Sequence, residues 1–139
     1  MTPRIFRSPA PPAVLRLLGE AKLPPPESLE HFFGCGTEEL PQGVVGLEIY
    51  GTDALLRSLA VDPAARGRGC AKALVRQAEQ HARQCGVRRL YLLTTSAADF
   101  FARLGYKRLE RDGAPAAIRT TSEFATLCPA GSVFMVKEL

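Results

Sequence analysis

Leu59-Ala60-Val61-Asp62-Pro63-Ala64-Ala65-Arg66-Gly67-Arg68-Gly69-Cys70-Ala71-Lys72 is the stretch on which the reading of this chain turns. An apolar run, Leu55 to Val61, ends at Asp62-Pro63, because proline has no N–H to give a continuing ladder. Two glycines flanked by arginines follow, and a long helical pattern begins at about Cys70. Glycine lets the backbone take positive φ and come close to a ligand. The first N–H groups of a helix have no partner inside it, and the helix dipole favours an anion there. Strand, glycine turn and helix in that order therefore suit a phosphate or pyrophosphate, although a plain connecting turn has the same outline. No Gly-Lys-Ser/Thr follows, and G-x-G-x-x-G fails at Lys72. Neither a Walker A loop nor a dinucleotide fingerprint is present.

Working outward, Leu74, Val75, Ala78, His81 and Ala82 recur at spacings of three and four, and Gly86 closes the helix near Cys85. That spacing predicts one face turned to a core. Before the turn, Val44 to Tyr50 and Leu55 to Val61 read as a hairpin joined at Gly51-Thr52-Asp53. Further upstream come a strand at Arg4 to Arg7, a helix opened by Pro11-Pro12 and stopped by Pro24-Pro25-Pro26, and a short helix from Glu27 to about Phe33. Downstream lie a strand from Val87 to Thr94, a helix from Ala97 to Leu104, a strand from Tyr106 to Glu110, an insert from Asp112 to Gly131 and a last strand from Ser132 to Glu138. The order predicts an α+β fold with mixed strand pairing.

A length of 139 residues suits one domain, here 1–139, and 46% hydrophobic with 23% charged residues lies near the globular average, so disorder is not the default. The net charge of +4 contains no basic run longer than Arg88-Arg89, which speaks against nucleic acid as the partner. No apolar stretch approaches the roughly 20 residues of a membrane span. Cys35, Cys70, Cys85 and Cys128 match no zinc spacing, so no metal is expected. Reduced thiols and an N-terminus unlike an export signal suggest the cytoplasm.

The strand ending Val61-Asp62-Pro63, followed by Arg66 to Ala71 and later by Ala97-Ala98-Asp99-Phe100-Phe101-Ala102-Arg103-Leu104-Gly105-Tyr106, resembles the GNAT N-acetyltransferase superfamily. The resemblance implies a three-layer α/β/α sandwich, with helices on both faces of a mostly antiparallel mixed sheet, and acetyl-CoA as co-substrate. It also implies that backbone N–H groups of Arg66, Gly67, Arg68, Gly69, Cys70, Ala71 and Lys72 hold the pyrophosphate. Leu59, Ala60 and Val61 would pair with the pantetheine arm through their backbone, and the helix carrying Phe100 and Phe101 would pack beside the sulfur.

The chemistry is less plainly written. Relatives that use a tyrosine as acid carry it where this chain has Phe101, and the glutamate of histone-type relatives is replaced by Leu55. Tyr91 and Tyr106 match neither position. Glu48, among Val44, Val45, Leu47 and Ile49, is an alternative base; an exposed Glu48 is equally consistent with strand alternation. Arg57 interrupts an apolar run, and buried arginine is rare unless paired. A substrate anion or Glu48 would account for it, as would an edge position with the head in solvent. Alternation puts it on the same side as Leu55 and Leu59.

The segment Pro115-Ala116-Ala117-Ile118, Thr121, Glu123-Phe124 and Cys128-Pro129 resembles the tail of small acetyltransferases found among arsenic-resistance genes. That implies a small amine as acceptor, with an arsenical among the options and Arg57 or Arg119 clamping its acid group. Cys128 reads as a metalloid ligand or a small filler. Cys70, were it exposed, would have a lowered pKa at a helix N-terminus. His31 is a minor catalytic candidate, and His81 reads as packing. A non-catalytic acyl-CoA sensor, a protein or peptide amine acetyltransferase and an interaction module stay open, as does a homodimer through an exposed last strand.

Overall fold

The computed structural model describes residues 4–126 and 132–139. Seven strands hydrogen-bond in the order β1-β2-β3-β4-β5-β7-β6, numbered along the chain as Ile5–Arg7, Phe32–Gly36, Pro41–Tyr50, Asp53–Val61, Arg89–Thr94, Lys107–Arg108 and Val133–Glu138. The helices are α1 (Pro11–Glu20), α2 (Cys70–Gln84), α3 (Ala98–Arg103), α4 (Ala116–Arg119) and α5 (Ser122–Thr126). β4 and β5 run parallel, whereas β1/β2, β2/β3, β5/β7 and β6/β7 are antiparallel. A mixed sheet with helices, an α+β sandwich, is the fold that the sequence predicts. Two compact units divide the chain: Met1–Leu47 with Ser58–His81, and Glu48–Arg57 with Ala82–Leu139.

In the first unit, Val14, Leu17 and Leu18 of α1 pack with Phe32, Val44 and Ala60. Proline opens α1, and Lys22, at φ +58°, turns the chain away after it. The helix predicted from Glu27 to Phe33 is absent, and β2 takes its last residues instead. Leu29, Phe32 and Phe33 match a helical spacing, but so few positions cannot separate a helix from a strand buried on both sides. Phe32, Phe33, Gly34 and Cys35 are all buried, and they pair with β1 on one side and β3 on the other. Phe32 stands opposite Gly46, whose missing side chain leaves room for the ring.

In the second unit, Leu55, Tyr91, Leu93, Ala114, Ile118, Phe124 and Phe134 form the core. The insert therefore contributes three of these seven residues, Ala114, Ile118 and Phe124. β7 lies between β5 and β6, pairing Leu90 with Lys137 and Lys107 with Val136. Both its edges are occupied, so the last strand is not the exposed edge expected for dimer pairing. No helix among the described residues is long and apolar enough to cross a membrane.

Candidate active site

In the first unit, Asp62 accepts a hydrogen bond from the Ala64 N–H at 3.0 Å and starts the single turn Pro63–Ala65. Arg66 to Gly69 then lie exposed, with Gly67 at φ +82° and Gly69 at φ +83°. Nothing stands within 4 Å of where a Cβ would be at either glycine. Conformation rather than space therefore requires glycine at both. The Ala73 N–H donates to the Gly69 carbonyl at 3.0 Å, so helical geometry leaves the N–H groups of Cys70, Ala71 and Lys72 without an intrahelical acceptor. Those donors, the α2 dipole and the exposed Arg66 and Arg68 fit a ligand bearing phosphates.

The Cys70 side chain takes no part in this turn. It is buried, its thiol pushed well up by burial and by neighbouring Cys35. A Cβ on Gly43 would stand 2.7 Å from its sulfur. The lowered pKa considered for an exposed thiol is therefore absent. Leu59 is half-buried and Ala60 buried on β4. Also in the first unit, His31 Nδ1 lies 3.2 Å from His81 Nε2, and Phe33 meets His81 edge-on. Burial, then Arg7 and His31, lower the His81 pKa. His31 belongs to a turn, not to a helix.

The second unit holds a charged cluster. Arg57, its side chain 1% exposed, donates through NH1 to Glu48 Oε2 at 2.5 Å, and its Nε lies 3.2 Å from Glu123 Oε2. The Tyr50 hydroxyl donates to Glu48 Oε1 at 2.5 Å. An edge position for Arg57 is thereby excluded, and Glu48 is the partner that explains its burial. Ser58, the next residue, has φ +60°. That left-handed residue breaks the pleat, so alternation does not carry from Arg57 to Leu59.

Glu123 is the residue that sequence reasoning missed. Its carboxylate is 5% exposed, and Oε2 has no aligned hydrogen-bond donor among the described residues. Its pKa is raised to about 7, because burial pushes it up more than Arg57 pulls it down, with Glu48 adding to the rise. Local structure fixes it in place. Thr121 Oγ1 accepts from the Phe124 N–H at 3.2 Å and donates to the Ile118 carbonyl at 2.7 Å. Phe124 meets Phe134 edge-on, and the Arg111 guanidinium lies over the Phe124 ring at 5.5 Å from its centre. A short helix that is capped and pinned by an aromatic contact thus delivers one carboxylate to Arg57.

Elsewhere in this unit, Phe101 is buried against Tyr106, with ring centres 5.5 Å apart, and Phe100 is half-buried. Tyr91 stacks on Phe134, and burial raises its pKa, with Asp53 adding to the effect. Arg119 donates to the Ala114 carbonyl at 3.0 Å and to the Asp112 carbonyl at 3.3 Å. Its guanidinium is engaged in holding the insert together. Cys128 lies outside the described residues. Among those described, no group of three or more His, Cys, Asp and Glu residues is placed to hold a metal ion.

Residues 4–106 match the acetyltransferase (GNAT) family. No curated protein sequence matches the chain. Among solved structures, Rv2747 from Mycobacterium tuberculosis, in complex with CoA and a second ligand, is 25% identical with a TM-score of 0.82, over 99% of both chains. The N-acetylglutamate synthase of Neisseria gonorrhoeae, complexed with coenzyme A and N-acetyl-glutamate, is 22% identical with a TM-score of 0.84. That match covers 100% of this chain and 35% of the synthase, so this chain spans about a third of that protein's length. A PaiA N-acetyltransferase from Thermoplasma acidophilum, in complex with coenzyme A, is 15% identical with a TM-score of 0.72, over 100% of both chains.

Proposed function

We propose that this chain, which belongs to the acetyltransferase (GNAT) family, is a CoA-dependent acyltransferase that moves the acetyl group of acetyl-CoA to the amine of a small molecule. The glycine turn carries this reading. Two left-handed glycines open α2 beside exposed arginines, which is the equipment a coenzyme A pyrophosphate needs. We assign that role to the backbone of Arg66 to Lys72. To Leu59, Ala60 and Val61 we assign backbone pairing with the pantetheine arm and polarisation of the thioester carbonyl. Phe100 and Phe101 supply apolar packing for the sulfur end.

When bound, acetyl-CoA supplies an activated acetyl group, whose carbonyl carbon forms a C–N bond with the neutral amine as its C–S bond breaks. Glu48 is the proton acceptor in this reading, because its side chain keeps 26% of its surface in solvent while Arg57 and Tyr50 hold both its oxygens. The amine's proton passes to that carboxylate, the departing thiolate takes a proton from water, and the proton on Glu48 passes to the hydroxide left behind, which restores the carboxylate. Arg57 and Arg119 are both engaged within the chain, so neither is assigned as a clamp for a substrate acid group. The likeness of the insert to acetyltransferases of arsenic-resistance genes makes small aminated arsenicals the first acceptors to try. The free thiols of Cys35 and Cys70 suit the cytoplasm.

The test is a thiol-release assay with acetyl-CoA and a panel of small amines, amino acids and arsenicals. Turnover that depends on the amine, with the acetylated product seen by mass spectrometry, is expected. Acetyl-CoA binding without release of thiol for any amine, peptides included, would instead identify a sensor.

A further inference from the structure

Arg57 lies between two carboxylates that differ in surroundings. Glu48, from β3, reaches solvent and is hydrogen-bonded by Tyr50. Glu123, from α5, is buried, and its Oε2 meets Arg57 Nε at 3.2 Å without a hydrogen bond. Arg57 and Glu48 are the charged groups that shift the proton affinity of Glu123. With all three ionised, one guanidinium faces two carboxylates and the cluster carries a net charge of −1. That surplus needs a reason, since each buried charge costs solvation.

The transfer reaction supplies one. If Arg57 had Glu48 alone, a proton arriving on Glu48 would strand a buried guanidinium without a counterion, which is strongly unfavourable. With Glu123 also present, Glu48 is neutralised while Arg57 stays paired, and the cluster moves only from −1 to 0. We propose that Glu123 is a positioning residue that serves as the reserve counterion of Arg57, allowing Glu48 to take the amine's proton during turnover. The proposal rests on the reading of Glu48 as proton acceptor. It also makes turnover require an ionised Glu123. A proton on Glu123 removes the surplus charge and returns Arg57 to Glu48 alone.

Steady-state kinetics across pH 5.5 to 9 test this on the full chain. Glu123→Gln keeps the shape and removes the charge. Its expected effect is a fall in kcat of about 100-fold, with KM for acetyl-CoA changed by less than about twofold, and loss of the acid limb expected of wild type near neutrality. Glu123→Asp should restore that limb. A Glu123→Gln enzyme with wild-type kcat and an unchanged acid limb overturns the proposal, because a purely structural residue leaves the pH profile where it was.

A second readout needs no turnover. In protein carrying carboxyl-labelled ¹³C-glutamate, the Glu48 resonance, assigned by its loss in Glu48→Gln, should shift at the midpoint at which Glu123 titrates. A Glu48 resonance with no inflection at that midpoint also overturns the proposal. Coupling between the two carboxylates with no turnover of any amine would overturn the assigned reaction instead.

Discussion

Nε of Arg57 lies 3.2 Å from Oε2 of Glu123, and both side chains are almost wholly withdrawn from solvent, at 1% and 5% exposure. Removing the cation alone leaves a buried carboxylate with no partner. Arg57→Met should therefore cost about 3–5 kcal/mol of stability, read from urea unfolding. The double variant Arg57→Met/Glu123→Leu should recover most of that loss. A double variant as unstable as the single one would show that the ion pair is not the source of the effect.

The same carboxylate makes stability depend on pH. Its pKa rises from 4.5 to about 7 on folding, chiefly through burial. Between those values the folded chain holds a proton that the unfolded chain has lost. The Glu123 contribution is thus fully present below about pH 4.5 and falls away as pH rises through about 7, a loss of up to about 3 kcal/mol. Subtracting the pH–stability curve of Glu123→Gln from that of wild type should isolate this decline. A difference curve that is flat between pH 4.5 and 7.5 would contradict it.

Gly69 and Gly51 provide a matched pair, since both have positive φ and open space where a Cβ would go. Alanine at either position meets the same backbone strain, about 1–2 kcal/mol. Only Gly69→Ala should also weaken acetyl-CoA binding, by about tenfold or more, because only that turn opens α2. Equal affinities in the two variants would detach the turn from the cofactor.

Gly46 is required for a different reason. A Cβ there would stand 2.3 Å from the Phe32 ring. Phe32 is among the fully buried side chains and has little room to give way. Gly46→Ala should cost about 1–3 kcal/mol by overpacking, and adding Phe32→Leu should relieve part of it in thermal unfolding.

Much of this architecture is legible in the residues. Asp62-Pro63 ends β4, Gly67 and Gly69 open α2, and Gly86 closes it at φ +86°, each because a single local rule decides the outcome. The stretch from Glu27 to Phe33 was not legible, because both faces of β2 are covered and a continuously apolar strand carries no alternation to read. Arg57 announced itself as a charge inside an apolar run, and Glu48 was within reach as its partner. Glu123 gave no such sign. It lies 66 positions beyond Arg57 in sequence, in a short helix whose single buried carboxylate looks like any first-turn glutamate. The left-handed Ser58 was equally hidden, since serine has no standing preference for positive φ.

Calorimetric titration of the chain with acetyl-CoA tests the central claim most directly, with dephospho-CoA and acetate as controls. Micromolar binding to wild type and none to Gly69→Asp, whose carboxylate would face the bound phosphates, is the predicted result. Absence of binding to well-folded wild type would contradict the account, leaving the acetyltransferase fold without its co-substrate.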